Sequence, residues 1–274
     1  MHLVVHALAA AATPRERGKQ WHPTCLAELA HSPPSTCVRG SRTFNCTFTW
    51  KEFLDAQPHL GSSGAWESNG TTPYLLDRGL ASALSRFFGP SASVVEFGAG
   101  KGCYTDALRT AGTANAQAFE GAPQIEDVTH GFVRHADLST SGLSVGLADW
   151  VLCLEVAEHV PFANMSTFLS NLDAHNTKGI VMSWSSAKNG NGHVNPQPDA
   201  FVTRQMNLRN YSEDHAATRA LKAAVSTYSW FRSTATHGKP GGGVRVWRRG
   251  GGGIAKGNKG KNPNRRPSTS TSAS

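Results

Sequence analysis

Ser93-Val94-Val95-Glu96-Phe97-Gly98-Ala99-Gly100-Lys101-Gly102 decides the fold of this 274-residue chain. Its first half is a short β-branched and aromatic run, which reads as a strand. It closes on an acidic residue and three alternating glycines. Glycines in such a loop allow a tight turn, tolerate positive φ and let a ligand approach the backbone with no side chain in between. The loop follows the carboxyl end of a strand, where open α/β sheets bind their ligands.

Working outward, strand-like and helix-like segments alternate, the signature of parallel βαβ units. Before the loop, Leu75, Leu76, Gly79, Leu80, Ala83, Leu84 and Phe87 form one apolar stripe and predict a helix over Tyr74–Phe88, stopped by Gly89-Pro90. After it come a helix over Tyr104–Thr110, a strand over Ala116–Phe119, a helix over Pro123–His130 and a short strand over Phe132–His135. Asp149–Leu154 is an apolar run suited to a central strand, Phe162–Ala174 an amphipathic helix, and Gly179–Trp184 another buried strand. Helices are expected over Ala200–Leu208 and over Glu213–Ser226, the latter capped by Ser212. Tyr228–Thr236 and Val244–Trp247 are expected to form an antiparallel edge pair. The fold class is therefore α/β, a doubly wound and mostly parallel sheet with helices on both faces. Residues 1–60 read as a leader and irregular lead-in, 61–249 as the folded domain and 250–274 as a disordered basic tail.

Three stretches carry the chemistry. The glycine loop is the first. In Ala118-Phe119-Glu120-Gly121 a carboxylate ends the second strand, and Ala136-Asp137-Leu138 places another acid after the third. Leu154-Glu155-Val156-Ala157-Glu158-His159-Val160-Pro161 then opens the fourth strand into an acidic, histidine-containing loop. A dinucleotide-binding loop would have a glycine where Cys103 stands, and no Lys-Ser/Thr pair follows as in a P-loop. Together, over residues 66–237, these pieces resemble the class I S-adenosylmethionine-dependent methyltransferases. The resemblance implies that Glu96, Gly98, Ala99, Gly100, Gly102 and Tyr104 line the cofactor, with the glycine loop beside its methionine part. It further implies that Glu120 accepts the ribose hydroxyls, that Asp137 and Leu138 lie by the adenine, and that Glu155 and Val156 sit under the cofactor.

Methyl transfer from a sulfonium is an in-line displacement, so the protein mainly positions the partners and removes a proton where the acceptor carries one. The candidate catalytic residues are His193, in Gly190-Asn191-Gly192-His193-Val194-Asn195, and His159, which the resemblance assigns to the cofactor pocket before catalysis. No metal is expected, because Glu155, Glu158 and His159 share one short loop and no distant group is placed by sequence to complete a coordination shell. A cofactor-binding module without activity and a Rossmann-type oxidoreductase are the alternatives.

The formal net charge is +8, and nine basic residues with no acidic one lie between Gly238 and Ser274, leaving 18 Lys and Arg against 19 Asp and Glu elsewhere. A basic face on the folded part is therefore not indicated, nor is nucleic acid; the methyl acceptor is a small molecule or a protein side chain. The tail suits weak, salt-sensitive contact with polyanions. No apolar run reaches the roughly 18 residues of a membrane-spanning helix. Leu3–Ala12 has the apolar character of a signal-peptide core but is interrupted by His6 and preceded by no Lys or Arg, which leaves secretory targeting ambiguous. Glycosylation-type triplets begin at Asn45, Asn69, Asn164 and Asn210. Cys25, Cys37 and Cys46 could give one disulfide and one thiol, while Cys103 and Cys153 read as free buried thiols.

Overall fold

The computed structural model describes residues 60–66, 76–232 and 242–250. The expected leader, its three cysteines, the triplets at Asn45 and Asn69, and the basic tail after Gly250 lie outside these residues.

Among the described residues the elements run α1 (Arg78–Phe88), β1 (Ser93–Phe97), α2 (Cys103–Thr110), β2 (Asn115–Glu120), α3 (Ile125–Val128), β3 (Val133–His135), β4 (Ala148–Cys153), α4 (Met165–Ala174), β5 (Asn176–Met182), α5 (Asp199–Asn207), β6 (Tyr211–Glu213), α6 (His215–Ala224) and β7 (Arg245–Arg249). Seven strands form one sheet in the order β3-β2-β1-β4-β5-β7-β6. The contacts among β1 to β5 are all parallel, while β7 runs antiparallel between β5 and β6. This is the class I methyltransferase arrangement that the sequence resemblance implies.

Alternation along the strands divides the core in two, because successive side chains leave opposite faces of a strand. Val94, Leu152, Val181 and Val246 face α1, α2 and α6 on one side. Val95, Val151, Ile180 and Trp247 face α4 and α5 on the other. The central strands are thus covered on both faces, which explains their unbroken apolar runs. No described helix is long and apolar enough to cross a membrane.

The chain reaches β1 through a cap that ties distant segments together. Asp77 precedes α1, is fully buried, and accepts from Leu80 N at 2.8 Å. The same carboxylate accepts from the amides of Ser226, Thr227 and Tyr228 and from Ser226 Oγ at 2.7–3.0 Å. These bonds hold its pKa below the ordinary carboxylate value against the opposing effect of burial. Gly79 allows the close approach this requires, since a Cβ there would lie 2.1 Å from Ala224 O.

The structure corrects several sequence expectations. The helix expected over Pro123–His130 is a single turn at Ile125–Val128, followed by His130 and Gly131 at positive φ. Glu213 belongs to β6 rather than to α6, which is capped by Asp214 through Ala217 N (2.9 Å) and not by Ser212. Ser229–Arg232 forms a 3-10 turn, so among the described residues this part of the expected hairpin partner of Val244–Trp247 is not a strand, and residues 233–236 lie outside them. β7 instead inserts between β5 and β6, which buries Trp247 completely. Three cations counted with the tail therefore belong to the fold. Arg245 pairs with Glu213, Arg248 with Asp214 at 2.6 Å and Arg249 with Asp173 at 2.8 Å.

Candidate functional site

The glycine loop leaves β1 with Gly98, Gly100 and Gly102 at φ values of 69°, 54° and 80°. All three lie in the left-handed region that costs other residues energy. At Gly98 space forbids a side chain as well, since a Cβ would lie 2.1 Å from Val156 Cγ2. The loop after β1 is therefore packed directly on the loop after β4. Ala99 is buried and its amide donates to Phe119 O at 3.0 Å, which fixes the turn against β2.

Two buried carboxylates flank the loop. Glu96 Oε2 accepts from Thr105 Oγ1 at 2.6 Å and from Thr105 N at 2.9 Å, anchoring the start of α2. Burial raises its pKa to about 7, the Thr105 bonds oppose the rise, and the Glu120 charge adds to it. Glu120 accepts from Gly100 N at 2.8 Å through one oxygen and from Gly121 N at 2.7 Å and Ala122 N at 3.3 Å through the other. Burial raises its pKa too, against the three amide bonds. Beside it, after β3, Asp137 Oδ1 accepts from Ser139 N at 2.8 Å, while Leu138 is buried and its carbonyl accepts from Asn171. Tyr104 lies in the core under α1, where its hydroxyl accepts the Asp77 amide at 3.0 Å.

The loop after β4 is the most strained part of the site. Glu155 has φ of 54°, and its amide donates to Ser183 Oγ at 2.7 Å. The Glu155 and Glu158 carboxyls lie side by side. Burial leads in raising both pKa values, Glu155 to about 7 and Glu158 well above the ordinary range, with the Glu155 charge adding to the rise at Glu158. Glu158 has no exposed surface, and neither of its oxygens makes a hydrogen bond of ordinary geometry among the described residues. The amides of Glu158 and Ser185 act to lower its pKa, and the Glu155 carboxyl beside it, sharing a proton, acts to raise it. An unsatisfied buried carboxylate is costly, so such a group asks for a partner.

His159 and His193 meet here although 34 residues separate them. The Glu158 carbonyl draws the distant loop in by accepting the amides of Val194 at 3.0 Å and Asn195 at 2.8 Å. The two imidazole centroids are 5.1 Å apart with the planes at 83°. His159 Nδ1 lies 3.0 Å from Gly192 O, and His193 Nδ1 lies 2.6 Å from Ala187 O. A carbonyl oxygen only accepts, so both Nδ1 atoms carry the proton, and in the neutral ring Nε2 is the atom with the lone pair. Burial lowers the His159 pKa to about 4. Glu158, His159 and His193 each bring one carboxylate oxygen or ring nitrogen within 4.8 Å of the others. No distant group is placed by sequence beside the Glu158-His159 pair, and the fold brings His193 there.

Trp66 is a site neighbour that the sequence did not signal. Its ring meets His159 edge-on at 5.1 Å, and Gly64 at φ 91° brings its segment onto the His159 backbone. Ser183, which holds the strained Glu155, was likewise missed; a small hydroxyl residue after an apolar strand gives no pattern of its own.

No protein-family model and no curated protein matches the chain. Among solved structures it is similar to magnesium protoporphyrin IX methyltransferase from Synechocystis PCC 6803 with bound S-adenosylmethionine, at 17% identity and a TM-score of 0.40 over 62% of this chain and 76% of that one. A TehB-like methyltransferase from Corynebacterium glutamicum shares 12% identity at a TM-score of 0.45 over 63% and 87% of the two chains. A ribosomal protein L11 methylase from Lactobacillus delbrueckii subsp. bulgaricus shares 12% at 0.39 over 62% and 77%.

Proposed function

We propose that this chain transfers a methyl group from S-adenosylmethionine to a small-molecule or protein acceptor, across the carboxyl ends of β1, β2 and β4. The observation that carries the reading is the left-handed glycine loop beside the buried carboxylate of Glu120. The residues fit the cofactor. Gly98 and Gly102 let the loop pack on Val156 and Phe132, and Gly100 between them adds no side chain where its amide meets the Glu120 carboxylate. A carboxylate has about four acceptor positions, and three amides already use Glu120. Two ribose hydroxyls fit once the longest of these bonds, from Ala122, is released.

When bound, the cofactor supplies a methyl group on a positively charged sulfur, ready for in-line displacement. The rest falls to the chain. The glycine loop and Glu120 fix the cofactor's orientation, and Glu155 and Val156 close the crevice from the β4 side. His193, half-buried with Nδ1 committed to Ala187 O, can take at Nε2 the proton that an acceptor hydroxyl or amine loses as its lone pair bonds to carbon. His159 stays neutral at physiological pH and holds the loop through Gly192.

Calorimetry with S-adenosylmethionine tests the reading. Glu120→Ala should lose about 1.5–3 kcal/mol, tenfold to a hundredfold in affinity, as expected for charged hydrogen bonds. Unchanged affinity in a folded variant refutes the ribose role. Binding of a nicotinamide nucleotide in place of S-adenosylmethionine refutes the function and points to an oxidoreductase.

A further inference from the structure

We propose that Glu158, His159 and His193 form a binding site for one first-row divalent cation of the zinc, cobalt or manganese type, at the rim between the β4 and β5 loops. Nothing in the proposed methyl transfer requires this, the inference stands on different observations, and a cation held by His193 would take the place of that residue's role as proton acceptor.

The first is convergence. Three ligand-type atoms from two loops lie within 4.8 Å of one another, so a point equidistant from them at that limit is about 2.8 Å from each. Zinc bonds to nitrogen and oxygen are about 2.0–2.2 Å long, so side-chain movements of under about 1 Å complete the site. The second is the Glu158 carboxylate, which is fully buried and makes no ordinary hydrogen bond among the described residues. A cation bonded to an oxygen supplies the missing partner. The third lies behind the two imidazoles. Each donates Nδ1–H to a backbone carbonyl, Gly192 O for His159 and Ala187 O for His193. Metal-binding histidines are oriented in this way, since the carbonyl fixes the tautomer and turns the Nε2 lone pair toward the ion.

The loop is built to hold that geometry. Gly190 passes beneath the His193 ring, where a Cβ would lie 2.1 Å from Cε1, and Gly192 at φ 67° fits between Trp66 and His159. Two imidazoles and one carboxylate favour a borderline transition metal over magnesium or calcium, which prefer all-oxygen shells. Three protein ligands leave coordination positions open, as in catalytic rather than structural sites. On the methyl-transfer reading, an acceptor oxygen bound there would lose its proton more readily.

The test uses the full-length chain after chelator treatment and dialysis, titrated with Zn²⁺ by calorimetry and with Co²⁺ by visible absorption. We expect one site per chain, with Co²⁺ absorption characteristic of nitrogen and oxygen ligation. Glu158→Gln and His193→Ala should each weaken that site by at least about tenfold, by analogy with the loss seen when even supporting groups are removed. The exposed His130→Asn should match the parent. A parent chain that binds neither ion at millimolar concentration overturns the proposal. So does Co²⁺ binding that is equal in the parent, Glu158→Gln and His193→Ala, because the ion would then sit on other histidines. Thermal melting without metal separates ligand loss from misfolding. If Glu158 were only a buried acid, Glu158→Gln would melt no lower and leave the Co²⁺ titration unchanged. These readouts need no cofactor, so they fail or succeed independently of methyl transfer.

Discussion

Replacing Glu96 by Gln should change the pH dependence of stability more than stability itself. In the folded chain burial raises the Glu96 pKa to about 7 from the ordinary 4.5, a rise the two Thr105 bonds only partly offset. A raised folded pKa means that the folded state holds the proton more tightly than the unfolded one. This contribution is fully present below about 4.5 and is lost as pH rises through about 7. A rise from 4.5 to about 7 corresponds to at most about 3 kcal/mol. Gln stays neutral throughout, and its oxygen can accept both Thr105 donors, which the carboxylate already receives on the single atom Oε2. Glu96→Gln should therefore match the parent near pH 5 and exceed it at pH 8 by roughly 1–3 kcal/mol, or several degrees in Tm for a domain of this size. The assay is urea or thermal unfolding of both proteins from pH 5 to 8. Taking the difference between the two cancels Glu155 and Glu158, whose pKa values are also raised, while Glu120, whose charge acts on Glu96, titrates together with it and belongs to the same effect. Parallel profiles, or a variant less stable than the parent at pH 8, would refute the reasoning.

Two further outcomes follow from packing and hydrogen bonding. Asp77→Ala should destabilise by about 3 kcal/mol or more, because it strips a helix cap and leaves the Ser226–Tyr228 amides without their acceptor. Urea unfolding that shows a loss below about 1 kcal/mol would contradict that role, as would a parent whose Asp77-dependent stability did not fade as pH falls below the ordinary carboxylate range. Gly98→Ala places a methyl group 2.1 Å from Val156 Cγ2 at a φ of 69°, and should cost about 1–3 kcal/mol of stability as well as cofactor affinity. Adding Val156→Ala should restore part of the loss, and no restoration would locate the strain elsewhere.

The parts of the fold legible in the sequence are those whose pattern is local. Val94, Val95 and Trp150–Leu152 lie buried in the middle of the sheet, so their apolar runs announce strands whatever the surroundings. The glycine loop is legible for the same reason, since its three left-handed positions are written in three consecutive alternate residues. β6 was not legible. It has three residues, only Tyr211 of them is fully buried, and it exists because β7 donates its other edge. Nor was β7's place between β5 and β6, because Trp247 and Val246 carry a strand pattern that does not name its neighbours.

The same distinction explains the site. Glu96, Glu120 and the glycines could be singled out as candidates because they lie at or near strand ends, and strand order brings such ends together at one edge of the sheet. Glu158 and His193 could not be joined by that rule. Their proximity depends on one backbone carbonyl, Glu158 O, accepting two amides from a loop 36 residues further on. That loop has no periodicity, only glycines whose purpose becomes visible once Gly190 is found beneath the His193 ring and Gly192 against Trp66. A histidine in a glycine-rich loop and a glutamate in an acidic turn each have an ordinary explanation by themselves. What removes the ordinary explanation is the pairing of a fully buried carboxylate lacking hydrogen bonds with two imidazoles whose Nδ1 protons are already committed. One ligand-type atom of each residue lies within 4.8 Å of the others, and a group that donates no proton but accepts lone pairs is what such a cluster can hold.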